Sequence, residues 1–119
     1  MNVRAQILDA TYGKAATGVR ARLTRAGDSD WITVGNAETN SDGCIEDWQD
    51  RTLPSGLYRI ICDSKSYFAM LGGMPMYMEV ALLFRITDEP ITLHVLLILS
   101  PNFYSVYIGR QQDWQQGRD

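Results

Sequence analysis

The chain has 119 residues, of which 45% are apolar and 21% charged, and this suits one globular domain with a sizeable core. Eleven basic and fourteen acidic residues give a net charge of −3 without any basic cluster, so nucleic acids and anionic membranes are disfavoured as partners. No apolar run approaches the roughly 20 residues of a membrane span, and no apolar stretch follows Arg4 as it would in a signal peptide. The cysteines, Cys44 and Cys62, lack metal-ligand spacing, which predicts free thiols in a reducing, cytoplasmic compartment.

Short alternating segments separated by turn residues recur along the chain, a pattern typical of an all-β protein. Strands are predicted at residues 3–9, 19–25, 31–39, 44–48, 57–63, 80–87, 91–99 and 103–108. An Asp or Ser cap within residues 63–66 begins a short helix over 67–71, which Gly72 and Gly73 end. These elements predict a two-sheet β-sandwich over residues 1–110, followed by a polar, frayed tail at 111–119.

The hairpin at 91–108 carries His94, the only histidine of the chain. Because side chains alternate along a strand, the odd residues of 91–99 (Leu93 to Leu99) form a wholly apolar face that must meet the core. His94 falls on the opposite face with Thr92, Leu96 and Ile98. This face is therefore where a functional site is expected.

Short motifs in order from about residue 3 to residue 110 resemble those of one known family. They are Ile7-Leu8-Asp9 with Gly13 and Ala16, Thr39-Asn40-Ser41-Asp42-Gly43, Gly56-Leu57-Tyr58, Ser66-Tyr67-Phe68, Tyr77, Glu79-Val80, Phe84, His94-Val95, Leu99-Ser100-Pro101 and Tyr104-Ser105-Val106-Tyr107. Their order and spacing resemble the transthyretin and 5-hydroxyisourate hydrolase family. The resemblance implies a transthyretin-like sandwich and a homotetramer, a dimer of dimers whose central channel holds the active sites at the subunit interface.

The chain departs from the hydrolases at several positions that carry their chemistry. They have a histidine at the position of Gln6 and a substrate-binding arginine at the position of Cys44. His94 matches the histidine of their His-Val-Pro-Leu-Leu-Leu-Ser-Pro motif, whose proline is Leu96 here. Hydrolysis of hydroxyisourate needs a base to activate water and a cation to hold the developing anion, so these replacements predict that little of that activity remains.

Three side chains are candidate catalytic residues. His94 is the predicted proton carrier, because an imidazole titrates near neutral pH. Cys44 is a candidate thiol partner, or simply a small residue that fills space. Tyr107 is expected to line the channel and orient a ligand through its hydroxyl. In an anonymous β protein, His94 would be interpreted as a hydrogen-bonded structural residue, and the family position changes that interpretation.

Six residues are predicted to bind the substrate: side-chain alternation places the first five on the channel wall, and Ile108 stands where the Tyr-Arg-Gly-Ser ending of the hydrolases has its arginine. They are Gln6, Leu8, Leu96, Ile98, Ser105 and Ile108. This wall is more apolar than a site for a charged purine ring needs, so a more apolar ligand is expected.

Four methionines cluster at Met70, Met74, Met76 and Met78. They are interpreted as adaptable packing in the core or at an interface, with a cofactor or metal trap as the alternative. No phosphate loop, zinc spacing or carboxylate pair occurs, so no cofactor and no metal are predicted.

Three functions remain open. The favoured one is a diverged enzyme that hydrolyses, isomerises or cyclises a cyclic small molecule other than hydroxyisourate, as in a biosynthetic pathway. The others are a non-catalytic protein that binds a small molecule and an authentic 5-hydroxyisourate hydrolase.

Overall fold

The computed structural model describes residues 1–48 and 53–112, which form nine β-strands and one α-helix. In chain order these are β1 (Asn2–Asp9), β2 (Lys14–Ala15), β3 (Arg20–Ala26), β4 (Trp31–Glu38), β5 (Cys44–Ile45), β6 (Gly56–Cys62), α1 (Ser64–Met70), β7 (Val80–Ile86), β8 (Ile91–Leu99) and β9 (Tyr104–Gln112). Across the described residues, no helix has the length and apolar character required to cross a membrane.

The strands form two sheets. The first has the order β2-β1-β8-β9, with β5 pairing beside β2 on the same edge of β1, and the second has the order β4-β3-β6-β7. Within the described residues β1 and β8 are the one parallel pair, and the other pairs are antiparallel. The predicted all-β fold of two sheets and one short helix is confirmed.

The core lies between the inner faces of the two sheets. Strand β8 contributes Leu93, Val95, Leu97 and Leu99, all of them buried, as the alternation predicts. They pack in one cluster with buried residues of β1 and of the second sheet. Because this face of β8 is committed to the core, His94, Leu96 and Ile98 point away from it.

Helix α1 forms where the capping residues predict it. The side chain of Asp63 accepts a hydrogen bond from the backbone N–H of Ser66 at 3.1 Å, which satisfies one of the free donors of the first turn. The chain leaves the helix through Gly72, whose φ of 80° favours glycine. Tyr67 and Phe68 are buried and hold the helix against the sandwich.

Three strands differ from the sequence prediction by more than one residue at an end. The two-residue strand β2 lacks an alternating pattern and exists because its backbone pairs with the end of β1. Strand β5 ends at Ile45 rather than 48. Strand β9 continues to Gln112, so Gln111 and Gln112 belong to the sheet and not to a frayed tail. The remainder of the predicted tail, 113–119, lies outside the described residues.

The methionine cluster does not pack in the core. The side chains of Met70, Met74, Met76 and Met78 are among the most exposed large apolar residues of the chain. The predicted packing in the core is therefore wrong, and packing at an interface stays a prediction.

Candidate functional site

The outer face of the first sheet gathers the predicted site residues into rows, because aligned residues of neighbouring strands point to the same side. In the first row, His94 of β8 is aligned with Arg4 of β1 and with Gly109 of β9. His94 and Arg4 are both half-buried. The fold thus aligns the only histidine of the chain with an arginine on the neighbouring strand.

The second row crosses four strands. Leu96 is aligned with Gln6 of β1 and with Tyr107 of β9, and Gln6 is in turn aligned with Cys44 of β5. Gln6 and Tyr107 are exposed, and Cys44 is half-buried. This row brings the predicted thiol, amide and phenol to the same side as His94.

The third row is apolar over β1 and β8. Ile98 is aligned with Leu8 and with Ser105, and both aliphatic side chains are half-buried. Along this face, the side chains therefore change from an arginine and a histidine in the first row to aliphatic residues in the third row.

A shallow depression of about 60 Å³ marks the junction of the first two rows. Its lining includes Arg4, Gln6, Cys44, His94 and Leu96. In one subunit this is smaller than the volume of a typical ligand site, roughly 300–1,000 Å³.

The imidazole of His94 is held by the side chain of Gln111. Its Nε2 lies 2.6 Å from Oε1 of Gln111, which is two residues beyond Gly109 on the same face of β9. Because an amide oxygen accepts hydrogen bonds, this bond is made by the tautomer of His94 that carries its proton on Nε2. The other nitrogen, Nδ1, keeps its lone pair and is the one able to take a proton.

Arg4 is only partly engaged by the protein. Its Nη2 lies 3.5 Å from Oε1 of Glu46, and both side chains are substantially exposed. Its Nε is buried and has no hydrogen-bond partner among the described residues. Such an exposed ion pair contributes ~0–1 kcal/mol, so the guanidinium can turn toward a ligand at little cost.

Cys44 lines the depression without pairing with His94. Its backbone N–H donates to Oδ1 of Asn40 at 3.0 Å, and its thiol donates to the backbone carbonyl of Asp42 at 3.6 Å. Within the described part of the chain, no hydrogen bond joins the thiol to the imidazole. The turn thus orients the thiol toward the backbone of its own loop.

The ring of Tyr107 packs over a neighbouring residue of its own strand. A Cβ at Gly109 would come within 3.1 Å of the Tyr107 ring, so the ring covers Gly109, the cross-strand partner of His94. The Tyr107 side chain is 65% exposed and leaves its hydroxyl open to a ligand or a second subunit.

Ile108, the remaining predicted substrate-binding residue, does not belong to this wall. It is aligned with Val95, which is buried in the core, so its side chain points to the opposite side from Tyr107. The eight other predicted site residues share the outer face: Gln6, Leu8, Cys44, His94, Leu96, Ile98, Ser105 and Tyr107.

Two residues of the site were missed by sequence reasoning. Arg4 lies two residues before Gln6 on β1, and Gln111 lies four residues after Tyr107 on β9. Side-chain alternation therefore places both on the same face as those residues. Arg4 was overlooked because it lies before the family motif, and Gln111 because it falls after the predicted end of the strand.

A family model described as the HIUase/Transthyretin family matches residues 3–109. A probable 5-hydroxyisourate hydrolase of Caenorhabditis elegans is 33% identical over 110 residues, which cover 91% of this chain and 81% of the relative. A 5-hydroxyisourate hydrolase of Mus musculus is 33% identical over 106 residues, which cover 87% of this chain and 90% of the relative.

Solved structures have the same fold. The 5-hydroxyisourate hydrolase of Klebsiella pneumoniae superposes with a TM-score of 0.82 at 28% identity, covering 92% of this chain and 99% of that one. Sea bream transthyretin in complex with thyroxine superposes with a TM-score of 0.86 at 24% identity, covering 92% and 95%. The second likeness is one of fold alone.

Proposed function

This chain belongs to the HIUase/Transthyretin family, and we propose that it is an enzyme acting on a cyclic small molecule other than 5-hydroxyisourate, with His94 as the proton carrier. The observation that carries the proposal is the row formed by Arg4, His94 and Gly109, in which Gln111 fixes the proton on Nε2 and leaves Nδ1 as a base. A base next to a cation suits reactions in which a proton leaves and a negative charge develops.

For a ring hydrolysis the steps balance as follows. Nδ1 of His94 takes a proton from water while the water oxygen attacks a ring carbonyl carbon, and the carbonyl oxygen becomes an oxyanion. Arg4 stabilises that oxyanion. As the tetrahedral intermediate collapses, the ring C–N or C–O bond breaks, and the departing atom takes the proton back from the imidazolium. An isomerisation or cyclisation would use the same base and the same cation without adding water.

The chain's own arrangement supports a substrate with an apolar part. Leu8 and Ile98 form an aliphatic row on the far side of Leu96 from the imidazole. A molecule with its reacting carbonyl at His94 would lay its remaining surface on these side chains. This favours a larger and more apolar ring system than a charged purine derivative.

We also propose that the site is completed by a second subunit in a homotetramer. The outer face of the first sheet is open, with Tyr107 65% exposed and aliphatic side chains only half-buried. The depression in one subunit is too small for a substrate, and a facing copy would deepen it. Sedimentation velocity of the full chain tests the assembly directly.

The free thiols Cys44 and Cys62 support a reducing, cytoplasmic setting.

An authentic 5-hydroxyisourate hydrolase with a rearranged site is the second candidate. Arg4 favours it, because it supplies beside His94 a cation that Cys44 cannot provide. The relatives of that name at 33% identity favour it as well.

One comparison separates these functions. The full chain and His94→Ala are assayed for decay of hydroxyisourate against buffer alone and for turnover of a panel of cyclic amides, imides and lactones with apolar substituents. The proposal expects His94-dependent turnover of a panel compound and decay of hydroxyisourate at the buffer rate, with unchanged sedimentation of the variant. Rapid, His94-dependent decay of hydroxyisourate supports the second candidate instead. Ligand binding without any product would establish a non-catalytic binding protein.

A further inference from the structure

Three methionines at alternate positions project from the segment between α1 and β7. The side chains of Met74, Met76 and Met78 are 83%, 79% and 63% exposed. Long apolar side chains are seldom left this open in succession, because burying each one would stabilise the fold by roughly 1.5–3 kcal/mol. Their exposure therefore calls for a role outside the core.

The backbone that carries these methionines is anchored. The N–H of Met76 donates to the carbonyl of Pro101 at 2.8 Å, and the N–H of Lys65 donates to the carbonyl of Met78 at 3.2 Å. The hydroxyl of Tyr77 donates to the carbonyl of Ser100 at 2.6 Å. Hydrogen bonds thus hold the segment to α1 and to the turn between β8 and β9. The side chains of Met74, Met76 and Met78 stay exposed.

Tyr77 is the anchored residue between two exposed methionines. Its half-buried ring packs toward the sandwich, with its centroid 5.2 Å from that of Tyr104. The side chains of Met76 and Met78, on either side of this anchored residue, are both exposed. Met74 lies two residues before Met76 and adds a third thioether on the exposed side.

We propose that the Met74-Pro75-Met76-Tyr77-Met78 segment is a site for one Cu(I) ion, bound by the three thioether sulfurs. Thioethers are soft, uncharged ligands, and soft sulfur ligands select Cu(I) over the hard cations that prefer oxygen. The segment offers three such ligands within five residues of a single anchored loop.

The reach of the side chains is sufficient. Four residue steps span at most about 14 Å even when fully extended, and the bends at residues 76–78 shorten that distance. Each methionine has three rotatable bonds before its terminal methyl group, so its sulfur can move several ångströms toward a shared ion. An ion would therefore gather side chains whose backbone is already in place.

Methionine methyl resonances provide the test. The full chain with Cys44→Ser is labelled with ¹³C at the methionine methyl groups and titrated with Ag(I), a stable soft monovalent ion, and then anaerobically with Cu(I). The substitution removes the half-buried thiol, which would otherwise compete for either ion. We expect the resonances of Met74, Met76 and Met78 to shift together and to saturate at one equivalent, while those of Met1 and Met70 stay in place.

The matched control is Met70, which is 84% exposed but lies at the end of α1. Met70→Leu should leave the affinity for the ion unchanged. Met76→Leu should weaken it about tenfold or more, the equivalent of ~1.4 kcal/mol. Circular dichroism and sedimentation of each variant check that it is folded.

Several outcomes would overturn the proposal. They are shifts spread equally over Met70, equal affinity in Met70→Leu and Met76→Leu, and no saturable shift at one equivalent. Another is a metal-free protein in which the three methyl groups are already covered by a second copy, shown by contacts between labelled and unlabelled subunits. That result would identify the segment as an interface.

Discussion

The imidazole of His94 and the amide of Gln111 are joined across β8 and β9 by a 2.6 Å hydrogen bond between Nε2 and Oε1. The bond is diagonal, because the aligned partner of His94 is Gly109, which has no side chain to offer. Gly109 leaves the space over which Tyr107 lies. Gln111 is therefore a positioning residue that sets the tautomer and the orientation of the imidazole.

Gln111→Ala is expected to lower kcat about tenfold while leaving the fold intact. A net hydrogen bond contributes ~1 kcal/mol, and its loss frees the ring to rotate and to exchange tautomers. The ¹⁵N chemical shifts of the His94 ring, which distinguish the two tautomers, should move from one dominant form to a mixture. Arg110→Ala is the control, because that side chain points to the other face and pairs with Glu89 at 2.6 Å. Unchanged ¹⁵N shifts in Gln111→Ala would contradict the positioning role.

Arg4→Gln is expected to reduce kcat/KM by roughly 10²–10³, the usual effect of removing a group that stabilises a developing oxyanion. The free energy of unfolding should change by less than ~1 kcal/mol, since the Arg4–Glu46 pair is exposed. Steady-state kinetics and urea unfolding measure the two effects. The matched control is Arg20→Gln, an exposed arginine on β3 of the second sheet. Equal activities of the two variants would remove Arg4 from the mechanism.

Side-chain alternation was enough to predict which face of β8 carries the site. The odd residues of 91–99 had to be core because all are apolar, and that left His94, Leu96 and Ile98 outside. Ile108 was included because an arginine of the hydrolases stands at its position, and not because of side-chain alternation. Its own parity, opposite to that of Tyr107, gives the correct side.

The end of β9 could not be read from the chain alone. After Ile108 the residues are Gly109, Arg110 and two glutamines, which carry no apolar alternation. The strand continues because β8 begins at Ile91, and its first residues offer backbone partners to Gln111 and Gln112. These pairing partners lie about 20 residues earlier in the chain, so the local pattern of residues around Gln111 does not reveal them. The pair formed by His94 and Gln111 was hidden for that reason.

Tyr67→Phe is expected to destabilise the fold by about 1–3 kcal/mol, because it leaves a buried carboxylate oxygen without a donor. Asp9 is 1% exposed, and its Oδ2 accepts from the Tyr67 hydroxyl at 2.7 Å. Burial, and then the hydrogen bond to Asp9, raise the pKa of Tyr67 well above its usual value, so the hydroxyl stays protonated as a donor. Urea unfolding measures the loss.

Tyr12→Phe is the control for that substitution. The Tyr12 side chain is 58% exposed, and its hydroxyl has no hydrogen bond within the described residues. Its removal should change the free energy of unfolding by less than ~0.5 kcal/mol. Equal effects of the two substitutions would show that the hydroxyl of Tyr67 contributes nothing to holding Asp9.

The two thiols should differ in reactivity toward a thiol reagent at pH 8. Cys44 is half-buried in the lining of the depression, whereas Cys62 is buried at the end of β6. Burial raises the pKa of Cys62 from 9.0 to about 12, so almost no thiolate forms in the native state. One thiol should react rapidly and the second only on unfolding, and Cys44→Ser should abolish the rapid phase.

The same burial makes stability depend on alkaline pH. Because the native pKa of Cys62 exceeds the unfolded value, the unfolded chain loses its proton first as the pH rises. The contribution of this group is full below about pH 9 and declines as the pH approaches 12. Tyr58 and Tyr77, whose pKa values burial also raises, add to the decline in every variant. Cys62→Ala should be less stable near pH 7 because of its cavity, but its unfolding free energy should fall less steeply above pH 9 than that of the unsubstituted chain. Parallel curves for the two proteins would mean that the thiol ionises in the native state as readily as in the unfolded one.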